Sequence, residues 1–168
     1  MTVYFRKPLI ALAMAIAISV SAMAQNGSKP LTPLKVQVVI ARYEGDKKVS
    51  SLPYILAVTA NHEPGANLRM GSQVPVPMGQ GSVDYKNVGT NIDCGATSTD
   101  DGRFRVYVSI EDSSVMERRS NDFPPTLRTF LFRNTVVLKD GQTAQFTAAA
   151  DKVTGEVVKV DVSLVVEK

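Results

Sequence analysis

Hydrophobic residues recur at every second position along most of this chain, in runs separated by short polar turns. Val36, Val38 and Ile40 alternate with Gln37 and Ala41, and Tyr54, Leu56, Val58 and Ala60 keep the same beat. A period of two places one set of side chains on each face of an extended strand. Pro53 puts the start of the second run on an edge or at a bulge, because proline has no ladder N–H to give. Ile92, Cys94 and Ala96 alternate with Asp93, Gly95 and Thr97; after Asp100-Asp101-Gly102, Phe104, Val106, Val108 and Ile110 alternate with Arg105, Tyr107 and Ser109. Asp-Gly between two such runs predicts a hairpin whose turn needs positive φ. Thr126 to Leu138, Asp140-Gly141 and Thr143 to Ala149 repeat the device and predict a second hairpin. Val158, Val160, Val162, Leu164 and Val166 close the chain, opposite Lys159, Asp161 and Ser163.

The connections are legible by composition. Glu44-Gly45-Asp46-Lys47 reads as a turn, and Asn61 to Asn67, with Pro64-Gly65, as a loop. Met70 to Gly81 is rich in Gly and Pro, which predicts only short extended pieces around Gln73 to Val76. Beyond the N-terminal segment no window has helical spacing; Ser113 to Pro125 has room for one short turn around Met116 to Arg119. The pattern predicts an all-β chain, an antiparallel β-sandwich or open barrel-like sheet of about eight strands. Its predicted core is Val36, Val38, Ile40, Leu56, Val58, Ile92, Phe104, Val106, Val108, Ile110, Val160, Val162 and Leu164. Thr126 to Leu138 and the final strand, long and free of proline, are the predicted sheet edges.

The first 24 residues break the pattern and change the compartment. Arg6 and Lys7 precede an apolar run from Leu9 to Val20, and Ala22-Met23-Ala24 leads into Gln25. Charged, apolar and small-residue regions in that order predict a secretory signal peptide over 1–24. The run is 12 residues long, short of the roughly 20 that span a bilayer as a helix. Residues 25–33 are expected to be a flexible mature N-terminus, and 34–168 a single β domain, exported to the periplasm or associated with the outer membrane.

Without Arg6 and Lys7 the chain carries 17 basic and 16 acidic residues, so the electrostatic footprint of a nucleic-acid binder is absent. Cys94 is the single cysteine, which excludes an intrachain disulfide and leaves stability to the core. Its alternating position predicts a buried, inert thiol.

Candidate chemistry is thin, and the sequence predicts no catalytic, cofactor-binding or metal site. His62 is the only histidine and lies in a Pro-Gly loop beside Glu63, so a triad or metal centre would rest on it alone. Asp100-Asp101-Gly102 lacks the acidic spacing of a calcium loop and is explained by its turn. Ser72 and Ser113-Ser114 sit in no nucleophile elbow, and Glu117-Arg118-Arg119 reads as a solvated charged cluster. The reading is a non-enzyme.

Three stretches resemble the secretin domain of the outer-membrane channels of bacterial type II and type III secretion and type IV pilus systems. Met70-Gly71-Ser72-Gln73-Val74-Pro75 is similar to that family's Gly-x-x-Val-Pro element. Asp84 to Ile92, with Tyr85, Val88 and Gly89, is similar to its Tyr-x-x-Val-Gly element, which leads into a strand, an Asp-Gly turn and a strand ending near a Ser, here Ser113-Ser114. Leu127-Arg128-Thr129 through Asp140-Gly141-Gln142-Thr143 resembles its strand followed by Asp-Gly-Gln-Thr. The chain departs from the family after that point, with Gln145-Phe146-Thr147 in place of a Gly-Gly step. The resemblance implies an exported structural or self-associating component of a cell-envelope assembly or secretion system, pairing with itself or an envelope partner through edge strands. Arg128 and Arg133 fall on opposite faces of one strand, which speaks against membrane insertion of this chain alone. The other reading is a soluble monomeric periplasmic sandwich that binds a peptide or glycan.

Overall fold

A computed structural model describes residues 29–79, 81–116 and 125–168. It contains eight strands, β1 (Thr32–Glu44), β2 (Lys47–Ala60), β3 (Ala66–Gly79), β4 (Ser82–Ser98), β5 (Phe104–Val115), β6 (Leu127–Leu138), β7 (Thr143–Ala150) and β8 (Glu156–Val166). They form two four-stranded antiparallel sheets, β2-β1-β8-β7 and β3-β4-β5-β6. The all-β sandwich predicted from the alternation is the fold observed.

All thirteen predicted core residues are buried, joined by Leu34, Tyr54, Ala60, Cys94, Ala96, Leu138 and Val158. The inward positions of β1, β2 and β8 meet those of β4 and β5, forming one apolar layer between the sheets. Burial follows the alternation residue by residue: β8 runs buried, intermediate, buried from Glu156 to Leu164. The opposite positions carry most of the charged strand residues. Lys35, Lys159 and Asp161 lie on the outer face of one sheet; Arg69, Asp93, Arg105, Glu111 and Arg133 lie on the outer face of the other.

Gly45 in the β1–β2 turn and Gly102 in the β4–β5 turn adopt positive φ, +57° and +75°, as the tight turns require. Three sequence expectations are corrected. Met70 to Gly79 belongs to one continuous 14-residue strand, β3 (Ala66–Gly79), paired with β4. Pro75 and Pro77 are tolerated because β3 is an edge strand and alternate residues can turn their nitrogens outward.

The second correction concerns Asp140-Gly141, which turns the chain from one sheet to the other and closes no hairpin. Gly141 N–H donates to the Leu164 carbonyl at 2.9 Å, Leu164 N–H to the Gln142 carbonyl at 3.1 Å and Val166 N–H to Asp140 Oδ1 at 2.8 Å. The turn is thereby fastened to β8, and β7 pairs with β8 and not with β6. The third concerns the final strand, which is interior, between β1 and β7. The Thr126–Leu138 strand is an edge as expected, since β6 pairs only with β5. Residues 117–124, which include Glu117-Arg118-Arg119 and most of the expected short turn, lie outside the described residues.

Candidate functional site

The secretin-like stretches converge on one line across the second sheet. Gly71 of β3 faces Gly89 of β4, and Gly89 faces Ser113 of β5. A Cβ on Gly71 would stand 2.4 Å from the Val88 carbonyl oxygen, and one on Gly89 would stand 2.1 Å from that of Met70. Gly89 also has φ of +139°, a conformation closed to ordinary side chains. Only glycine at both positions lets the two backbones come this close. Ser113 brackets the crossing: Gly89 N–H donates to its Oγ at 3.1 Å, and that hydroxyl donates back to the Gly89 carbonyl at 3.3 Å.

Beyond this line β5 no longer pairs with β4, so residues 72–79 and 82–88 form a two-stranded arm. Most of its described side chains are exposed, among them Met78, Val83 and Tyr85. A hairpin of two strands alone is marginal in water, so the arm depends on its base.

Directly beneath that base the two sheets are joined by polar contacts. Tyr54 Oη and Thr90 Oγ1 are 3.1 Å apart, and Thr90 Oγ1 donates to Asp112 Oδ1 at 2.7 Å. Arg42 of β1 crosses the core to pair with Asp112 of β5, and its other nitrogen donates to Glu156 Oε1 at 2.8 Å. Arg128 of β6 reaches Glu156 Oε2 at 2.6 Å and Asp151 at 2.8 Å. Burial by itself would raise the pKa of Glu156, but hydrogen bonds from Arg42 and Arg128 outweigh it and hold the carboxyl below its ordinary value. Arg128, placed by the sequence on the face opposite Arg133, thus pairs half-buried with Glu156 of the other sheet, and Arg133 faces out.

The flanks of the sandwich form the second feature. β2 lies against β3 and β4 on one flank, and β6 approaches β7 on the other, so each flank offers two edge strands, one from each sheet. Pro53 interrupts the β2 edge and Pro75 and Pro77 the β3 edge, whereas β6 and β7 carry no proline. At the β6–β7 flank Phe132 packs against Phe130 and Phe146 with centroids 6.4 and 5.8 Å away, and all three rings are only partly buried.

Other residues singled out in the sequence lie apart from this. His62 and Glu63 are exposed and, with Gly95 and Tyr107, line an open groove of about 1000 Å³. Cys94 is buried, and desolvation pushes its thiol up to about 12. Among the described residues no three His, Cys, Asp or Glu side chains stand together as metal ligands. Asp101 is held well below the usual carboxylate range by hydrogen bonds from Arg103 and Thr99 within its turn. Ser72 is exposed on the arm. The sequence reading missed the Arg42–Asp112–Glu156–Arg128 cluster. Arg42 and Glu156 do fall at inward positions of their strands, but their partners are far away in sequence.

No family model and no curated protein matches the chain. Solved structures do. The type II secretin GspD of enteropathogenic Escherichia coli aligns with TM-score 0.53 and 11% identity, over 83% of this chain and 70% of that one. InvG, the secretin of the Salmonella SPI-1 type III injectisome, aligns with TM-score 0.53 and 10% identity, over 80% and 61%. Aeromonas hydrophila ExeD follows with TM-score 0.51 and 13% identity, over 82% and 49%. The matches therefore span 49 to 70% of these solved chains. At such identities the likeness is one of fold: this is a secretin-like β domain, as the motif order implied.

Proposed function

We propose that this chain is an exported, non-enzymatic structural module that self-associates within a cell-envelope assembly or secretion system. The observation that carries the reading is the pair of open flanks. Among the described residues each sheet ends in an edge strand on both sides, β2 and β7 in one and β3 and β6 in the other, and an unpaired edge is a template for another strand. Joining the β6–β7 flank of one copy to the β2–β3 flank of the next continues both sheets at once. Such a contact is head-to-tail, and head-to-tail contacts that close make rings. Prolines at 53, 75 and 77 limit the register available on the receiving flank.

The shared fold supports this reading, and InvG itself is solved with PrgH and PrgK in a basal body. The charged outer faces favour a module seated in protein and water over one whose sheets line a bilayer. Light scattering after size-exclusion chromatography of the chain beginning at Gln25, with and without detergent, tests the proposal. The expected result is a discrete oligomer, with the protein recovered in the envelope fraction of cells. A clean monomer in both buffers, absent from envelope fractions, would favour the monomeric peptide- or glycan-binding sandwich, whose candidate surface is the Tyr107 groove.

A further inference from the structure

The arm beyond Gly71 and Gly89 is attached by little. β5 has left the ladder, the glycine pair has no side chains to interlock, and Ser113 brackets Gly89 from β5. Thr90, the neighbour of Gly89, is the exception. It is a buried polar residue, 3% exposed, and its hydroxyl stands between Tyr54 of β2 and Asp112 of β5. Asp112 is in turn held by Arg42, which reaches across from β1. One hydroxyl thus ties the base of the arm to both sheets.

We infer that Thr90, with Tyr54, Asp112 and Arg42, is a latch that sets the direction of the β3–β4 arm relative to the sandwich. With the latch closed, the arm continues the plane of its sheet. With the hydroxyl removed, the arm pivots at Gly71 and Gly89 while the sandwich stays folded. The pivot is local because the residues on the body side of Thr90 (Ile92 and Cys94) are buried and paired on both sides, whereas those on the arm side are mostly exposed and paired on one. Arg42 and Asp112 act as positioning residues: Asp112 accepts from Thr90, Arg42 pairs with Asp112, and together they hold the acceptor in place. The inference concerns a single copy of the chain and stands whether or not copies assemble.

Spin labels on Val83→Cys at the arm and Thr135→Cys on β6, both at exposed positions, read the arm's direction as a distance distribution. Dilution with unlabelled chain confines the signal to one molecule. The native sequence is expected to give one narrow distribution. Thr90→Val, which keeps the shape and loses the hydroxyl, is expected to broaden it, and Thr90→Ser, which keeps the hydroxyl, is expected to restore it. A narrow distribution with Thr90→Val would overturn the inference, and so would equal broadening with Thr90→Ser. If Thr90→Val does not fold, Tyr54→Phe removes the hydroxyl on the other side of the contact. Broadening there upholds the latch, and an unchanged distribution refutes it.

Discussion

Gly89 carries more of this structure than its size suggests. Any side chain there meets both a positive φ and a carbonyl oxygen 2.1 Å away, so Gly89→Ala is expected to cost about 2–4 kcal/mol in urea unfolding. Gly95, where an added Cβ meets nothing within 4 Å, provides the contrast: Gly95→Ala is expected to change stability by about 1 kcal/mol or less. Glu156 behaves in a pH-dependent way. Its folded pKa lies below the unfolded value, so its stabilising contribution is complete above the ordinary carboxylate range and is lost as pH falls through the folded pKa. Glu156→Gln is therefore expected to destabilise the protein at neutral pH by about 1–3 kcal/mol and to flatten its acid unfolding curve. Equal acid profiles for both proteins would show that the pairs with Arg42 and Arg128 contribute nothing. At the same scale Cys94 is legible from alternation alone: buried and protonated, it is expected to resist alkylation until the chain unfolds.

Strands β1, β4, β5 and β8 form the body of the domain, and their inward residues could be named from the sequence because period-two alternation and burial coincide there. Ile110→Ala, at a fully buried position, is expected to lower stability by about 2–5 kcal/mol, read as a shift in the urea midpoint. The β3–β4 arm was illegible for the opposite reason. Its prolines, glycines and exposed side chains give no alternation, and its pairing is enforced by the register of β4. Deleting residues 75–85 and joining Val74 to Lys86 through Asn-Gly is expected to move the thermal midpoint by less than about 4 °C. A loss of the whole transition would show that the arm is part of the core. The turn at Asp140-Gly141 shows how local chemistry can be read correctly and its consequence misplaced. Gly141 does adopt positive φ, +74°, but hydrogen bonds to Leu164 and Val166 decide which sheet receives the chain.

At the scale of the whole molecule, the proposed assembly and the proposed export make separate demands. N-terminal sequencing of protein from an envelope fraction is expected to begin at Gln25; an intact Met1 on cytosolic protein would refute export and leave the fold untouched. The amino-acid sequence by itself determined the strands of the body, their buried faces, the β1–β2 and β4–β5 turns and the burial of Cys94. Each depends on residues within a few positions of one another, which is the range over which alternation and turn chemistry act. Tertiary structure alone decided that β8 lies inside its sheet, that β7 pairs with β8, and that Arg42, Asp112, Glu156 and Arg128 meet between the sheets. Those outcomes join residues as distant in sequence as Leu34 and Val166, where pairing is selected by how two apolar faces close on each other and by where buried charges find partners.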